Sequence, residues 1–594
     1  MRRFVVLASL FALAAVVAAQ EADTRYVLWY DRPAAGADKP ADGSAAPAGW
    51  LEALPVGNGR LGGMVYGGTG VEKIQLNESS VWSGSSQDAD NPEAAANIGK
   101  IRELLFVGNY VEAQKLTYKY FVCRGAGSGH AGSARLPFGC YQTLGDLQLR
   151  LAGAEKGPAP IELSEFKMLK VDSPDGRPET KPDFDDSKWI TVTTAGPQKE
   201  IEGKNVAVYR AVFDLTEAQL KGGLRSLTTG TVDDFGTVYV NAQKVGEATD
   251  VSRTFTFDVS KNLRAGRNVL TVIVRNIGGP GGLIGAWKLS SAAADASGSS
   301  DYRRELNLDS AVATATFSVD GVRHRREVFA SHPDDVIVVR WTVDQPGQLA
   351  FTASLKRIER LTTKAAGEDQ LVMSGRMADG KGGDGLAVVA RLKIIPDGGR
   401  VRVDGDRLRV ENASSATLLI SAATNYQMNN PPAYLGGDPA KKSADILAAA
   451  AAKSPAALRS AHVADQQAIF RRCLLDLGGW DKNSMPTDKR LAAIKAGEFD
   501  PALVATYFAF GRYLLIGSSR PGGLPANLQG IWADGIQTPW NADYHNNIND
   551  QMNYWPAEQT SLSDCAQPFF DLIEYMRIPG RKTAKLQYNA RGWV

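Results

Sequence analysis

The sequence predicts a multidomain β + α chain, strand-built over its first two thirds and helical after that. Three observations carry this. Short alternating runs of apolar and polar residues, separated by glycine turns, recur from residue 26 to about 425. Past residue 437 they give way to alanine-rich stretches whose apolar residues recur every three or four positions. Within the strand region, residues 155–297 interrupt the pattern with shorter strands and more frequent turn signals.

Residues 26–154 form the first part of a β-sandwich. LPVGNGRLGGMVYGGTGVEKIQLNESSVWSG (54–84) places glycine turns between short strands, and NIGKIRELLFVGNYVEAQKL (97–116) has the spacing of one amphipathic helix. Residues 155–297 read as an inserted jelly roll: FDDSKWITV, YRAVFDL, DDFGTVYVNAQKVG and LRAGRNVLTVIVRN are strands with a turn about every ten residues. The insert resembles the galactose-binding-like domains that accompany many glycosidases, on Phe184 to Trp189, Tyr209-Arg210, Asp233-Asp234, Val238 to Asn241 and Gly266 to Asn268. Residues 298–430 resume the sandwich, with a hairpin turning on Asp320-Gly321. Residues 431–484 are a helical linker broken at Pro455. Residues 485–594 supply further helices, among them 501–517 and 563–578.

A chain of 594 residues is too long for one domain. A net charge of +2 gives no reason to expect a nucleic acid or a charged membrane surface as partner. Met1-Arg2-Arg3, the apolar run from Phe4 to Val17 and the small residues Val17-Ala18-Ala19 read as a Sec signal peptide, residues 1–19. The mature chain is therefore expected to be secreted or periplasmic, with no membrane association after cleavage. In that setting Cys123 and Cys140, which flank a glycine-rich loop, are disulfide candidates. Cys473 and Cys565 lie in helix-like contexts and read as buried thiols. No His/Cys cluster has metal-ligand spacing, so neither metal nor cofactor is expected.

The chemistry concentrates in PANLQGIWADGIQTPWNADYHNNINDQMNYWPAEQ (525–559). Trp532, Trp540, Tyr544, Tyr554 and Trp555 offer rings. Asn527, Gln529, Asn541, Asp543, His545, Asn547, Asn549 and Asn553 offer donors and acceptors. Flat apolar faces beside short polar side chains are what a sugar requires. So many polar groups in an apolar neighbourhood are costly unless they find partners. Asparagines that merely cap helices and shape turns would give a similar composition.

On these residues the chain resembles the inverting α-L-fucosidases of glycoside hydrolase family 95. The resemblance is carried by LPVGNGRLGGMVYGG (54–68), IQLNESSVWSG (74–84), YQTLGDL (141–147), YRRELNLDSAVATATF (302–317), REVFASHPDDVIVVR (326–340), NLQGIWAD (527–534) and NINDQMNYWPAEQT (547–560). It implies an N-terminal sandwich, a helical linker and an (α/α)6 barrel, with residues 485–594 as an incomplete barrel. It further implies that Asn547 and Asn549 hold the attacking water through their side-chain oxygens, one of them polarised by a distant aspartate, with a glutamate as general acid. Two-residue spacing fits an extended segment, in which both side chains point the same way. Trp532, Trp540, His545, Tyr554 and Trp555 are the substrate-binding candidates, and the partner is a fucosylated oligosaccharide or polysaccharide, with α-1,2 linkages expected.

The family does not generally carry the insert. The resemblance places the acid and the polarising aspartate beyond residue 594, so the chain is expected to be C-terminally truncated and inactive. Asp534, Asp543, Asp550 and Glu558 occupy the wrong motif positions for either role. An α-L-galactosidase, whose sugar adds one hydroxyl, and a non-catalytic carbohydrate-binding protein are the alternatives.

Overall fold

In the computed structural model, residues 23–34, 48–86, 88–121, 139–153, 160–221, 224–249, 254–291, 299–431 and 433–594 are described. The signal-peptide reading and Cys123 lie outside them.

Two antiparallel sheets share one apolar core. The nine-stranded sheet runs Val27–Tyr30, Ser300–Asn307, Val312–Val319, Val322–Ser331, Val336–Val343, Ser415–Thr424, Asp384–Asp397, Gln370–Ala378, Leu361–Ala365. The seven-stranded sheet runs Leu54–Gly57, Leu61–Val65, Val71–Glu78, Gly145–Leu151, Leu349–Lys356, Arg407–Ala413, Arg400–Asp404. Asp320 and Gly321 both take positive φ, 50° and 78°, and close the expected hairpin at Val319 opposite Val322. Ser415–Thr424 is buried along nearly its whole length, which fits its small and apolar residues with no charge among them. One of its faces meets the opposite sheet. The other, at Leu419, is covered by Leu447, Ala450, Leu458 and Val463 of the linker helices Pro439–Ala451 and Pro455–Phe470. Asp438 and Ser454 cap those two helices.

The chain leaves the seven-stranded sheet after Leu151 and enters the nine-stranded one at Ser300. Between them stand a six-stranded and a four-stranded antiparallel sheet. Their apolar core runs from Leu163 to Leu289 and, among the described residues, includes none of the sandwich or of the C-terminal helices. Arg210 is fully buried there. Its guanidinium bonds Asp186 (2.8 Å) and the carbonyls of Glu179 and Lys181.

Two local expectations change. The single helix expected over 97–116 is two, Ala94–Phe106 and Tyr110–Tyr120. Gly108 at φ 75° ends the first, and the Asn109 side chain accepts from Glu112 N to start the second. Cys473 is half-buried just beyond a helix end, whereas Cys565 is fully buried in Ser563–Tyr588 and its thiol is pushed up to about 11 by burial.

The C-terminal helices Thr487–Lys495, Pro501–Ser518, Asn549–Gln559 and Ser563–Tyr588 dock on the sandwich. Asp500 caps the second of these at Leu503 N (2.9 Å) and pairs twice with buried Arg490 at 2.8 Å. The closest approach is at Gly57, where a Cβ would lie 2.4 Å from the Gly517 carbonyl. Gly57 is thus a glycine for backbone contact, not for a turn. Tyr513 donates to the Pro55 carbonyl (2.6 Å) at the same seam.

Candidate active site

The sandwich is the seat of the 525–558 segment. Tyr141 Oη donates to the Ile531 carbonyl (2.7 Å), Asn77 to that of Ala533 (3.1 Å) and Gln142 to that of Ile536 (2.7 Å). Gln75 bonds Asp534, and Tyr141 N donates to the Asn541 carbonyl at 2.9 Å. The segment is irregular, yet its backbone is held by side chains of the sandwich and so has little freedom.

Trp540, Asn541 and Ala542 follow one another in the left-handed region, at φ 48°, 57° and 49°. Such a run of non-glycine residues costs energy at each step and is kept only where surrounding contacts impose it. Its effect is to turn the Trp540 ring out, 55% exposed, while Asn541 is buried. Tyr544 then stacks on Trp82 of the sandwich, with centroids 5.7 Å apart and planes 25° apart.

Residues 546–548 form a turn and Asn549 opens the helix Asn549–Gln559. Ile548 has φ −166° and ψ −41°, so the backbone is not helical between the two asparagines. Asn547 and Asn549 are both exposed. The expected extended segment is therefore a turn running into a helix, because Asn549 already belongs to the first turn. Beside them, Asp550 is fully buried and neither carboxylate oxygen has a hydrogen-bond partner. Burial raises its pKa to about 6, against the opposing pull of His545. His545 Nδ1 and Gln551 Oε1 are likewise buried and unpartnered. Burial also raises the Asp543 carboxyl.

Two ring candidates turn out to be packing residues. Trp532 is 6% exposed, packs with Met64, Tyr66 and Ile531, and donates to the Val56 carbonyl at 2.9 Å. Tyr554 is buried, stacks on Phe569 at 5.2 Å and bonds Ser519 Oγ and Ala526 N, both at 2.8 Å. Neither offers a sugar an open face. Trp540 and Trp555, which flank the asparagines in sequence, are exposed at 55% and 58%, and His545 is half-buried. Cys140 is a buried free thiol, Sγ 3.2 Å from Thr538 Oγ1. No group of three His, Cys, Asp or Glu among the described residues could hold a metal ion.

Trp82 was not among the candidates, although Ser79 to Gly84, a ring amid hydroxyls and a glycine, carried the signal. It lines a cleft of about 680 Å³ between the sandwich loops and the helical part, together with Tyr426, Tyr434 and Tyr544.

Residues 454–594, which contain the whole asparagine segment, match the glycosyl hydrolase family 95 catalytic domain. This C-terminal part of the chain is thus similar to the family 95 catalytic domain. The other parts of the chain match related modules. Residues 28–159 and 281–429 match the glycosyl hydrolase family 65 N-terminal domain, and 180–291 match the family 2 sugar binding domain. Among individual proteins, Alpha-L-fucosidase 2 of Arabidopsis thaliana is 27% identical over 573 residues, 92% of this chain and 50% of that protein. Two proteins named Probable alpha-fucosidase A, from Aspergillus niger and Aspergillus oryzae, are 33% and 30% identical over 49% and 50% of this chain, and 38% and 42% of theirs. The chain thus spans about half the length of these relatives, or less.

Proposed function

We propose that this chain is the N-terminal part of an exported, inverting α-L-fucosidase that releases L-fucose from α-1,2-fucosylated glycans. The observation that carries the reading is the exposed Asn547 and Asn549 pair, inside the residues that match the family 95 catalytic domain. In this reading the two amide oxygens orient a water for attack on the anomeric carbon from the face opposite the leaving oxygen. Inversion needs a gap of roughly 6.5–9.5 Å between the water-activating group and the acid. An amide is a weak base, so it needs a carboxylate to polarise it. That carboxylate and the general acid are supplied from the part of the relatives that this chain does not span. His545, Trp540 and Trp555 contact the sugar.

The helices belong to an (α/α)6 barrel, and the insert is a jelly roll carried beside it. The exposed apolar faces at Val504, Tyr507 and Phe570 suit further helices packed over them. The test compares this chain with a version extended to the length of the relatives, both incubated with 2′-fucosyllactose. The extended version should release fucose with inversion and the 594-residue chain should not. Turnover by the short chain that Asn547→Ala removes would mean that the acid lies within these residues. Release of L-galactose in preference to L-fucose would replace the substrate assignment.

A further inference from the structure

We infer that the cleft between the sandwich and Tyr544 binds the neutral sugar residues that adjoin the fucose, so that the β-sandwich is itself part of the substrate site. The inference rests on the fucosidase reading for the identity of the neighbouring sugar, but not for the presence of a sugar site. Three features of the cleft point to this ligand.

The first is its wall. Trp82, Tyr426, Tyr434 and Tyr544 come from three stretches of chain and converge on one space, and Trp82 and Tyr544 are stacked across the junction between sandwich and helices. Aromatic faces interleaved with the hydroxyls of Ser83 and Ser85 suit a ligand that is apolar on its C–H faces and polar at its edge.

The second is charge. The acids at the rim are already matched. The Asp379 carboxylate accepts from the backbone N–H of Lys381 (2.7 Å) and of Gly383 (2.8 Å), and Asp384 pairs with Arg360 at 3.2 Å. Lys381 Nζ lies 3.4 Å from the Ser86 carbonyl. The lining holds two acids and one base, with Arg360 pairing Asp384 from outside it, so no excess of positive charge awaits a phosphate or a uronate, which argues for a neutral ligand.

The third is position. Tyr544 is the residue before His545 and lies three before Asn547, so the cleft opens where the candidate catalytic loop begins. At about 680 Å³ it falls within the range of small-molecule sites and has room for more than one sugar ring.

The test titrates the purified chain with two separate probes, lactose and L-fucose, followed by tryptophan fluorescence and saturation-transfer NMR. Tyr434→Asn is the principal variant, since asparagine tolerates the φ of 54° found there. Trp82→Leu is the second, and thermal melts check that both fold. Lactose should bind at least fivefold more weakly to either variant, with L-fucose affinity unchanged, while His545→Ala should weaken L-fucose alone. Undetectable lactose binding, or lactose binding indifferent to both cleft substitutions, overturns the inference whatever L-fucose does. If lactose binding needs Tyr434 but, in a version of the chain extended to the length of the relatives, L-fucose binding is absent or ignores His545, the cleft stands and the fucosidase reading falls.

Discussion

The insert and the asparagine segment treat buried polar groups in opposite ways. In the insert they are tied down. Gln198 donates to the carbonyls of Thr193 (3.1 Å) and Leu283 (2.9 Å) and accepts from Leu283 N (2.8 Å). Asn276 donates to Ile201, Gly279 and Pro280 carbonyls at 2.9 to 3.2 Å. The unpartnered atoms that remain there, Glu179 Oε2, Thr271 Oγ1 and Trp287 Nε1, are scattered. Around the asparagines, His545 Nδ1, both Asp550 oxygens and Gln551 Oε1 are unpartnered within one turn and the start of one helix, just after three left-handed residues. An unpaired buried polar atom costs about 1–3 kcal/mol. A region that concentrates this cost is shaped by something other than its own stability, whereas the insert is shaped chiefly by folding.

The largest effect should fall on chemistry. In a version of the chain that spans the full length of the relatives, Asn547→Ala or Asn549→Ala should lower kcat by about 10²–10⁴-fold with little change in KM, because water positioning acts in the transition state. Steady-state kinetics on 2′-fucosyllactose read this directly. A raised KM at normal kcat would make the pair ground-state sugar contacts and weaken the contrast with the insert.

On the other side of the comparison, Trp287→Ala removes the largest side chain of the insert core. It should cost about 3–5 kcal/mol of insert stability. Hydrogen exchange should show residues 160–291 losing protection while the sandwich strands keep theirs. Parallel loss in both would mean that the insert does not fold as its own unit.

Asp550 gives a pH signature. Its pKa is raised from 3.8 to about 6, so the folded chain holds this proton more tightly than the unfolded chain does. The contribution is therefore fully present below about pH 3.8 and is lost as pH rises through about 6. Asp550→Asn cannot ionise, so at pH 7.5 it should be more stable than the parent by about 1–2 kcal/mol, and the gap should close toward pH 4. Thermal melts at the two pH values check it, and a gap that is the same at both would remove burial as the cause.

The smallest effect concerns the left-handed run. Ala542 is fully buried at φ 49°. Ala542→Gly relieves about 1–2 kcal/mol of backbone strain and loses part of that to chain entropy, for a net gain of about 0.5–1 kcal/mol. A destabilised variant would show that the strain is not local to this residue.

Much of this architecture is legible in the order of residues. Alternation in 313–331 and the Asp320-Gly321 pair are local signals, and local sterics suffice to give a hairpin. Asp438, Ser454 and Asp500 announce helix starts because a capping side chain bonds backbone within its own first turn. The segment rich in asparagine and aromatic residues was visible for the same reason, since composition is local. What each ring does was not. Trp532 and Trp540 look alike in sequence, yet one packs beneath Val56 and the other stands exposed, because burial depends on which distant strand lies opposite. Trp82 becomes part of a site only when the sandwich brings it against Tyr544, and Gly57 is needed only because Gly517 passes so close. The raised Asp550 carboxyl follows equally from surroundings assembled by the fold, since desolvation is a property of all the atoms around a group and not of its neighbours along the chain.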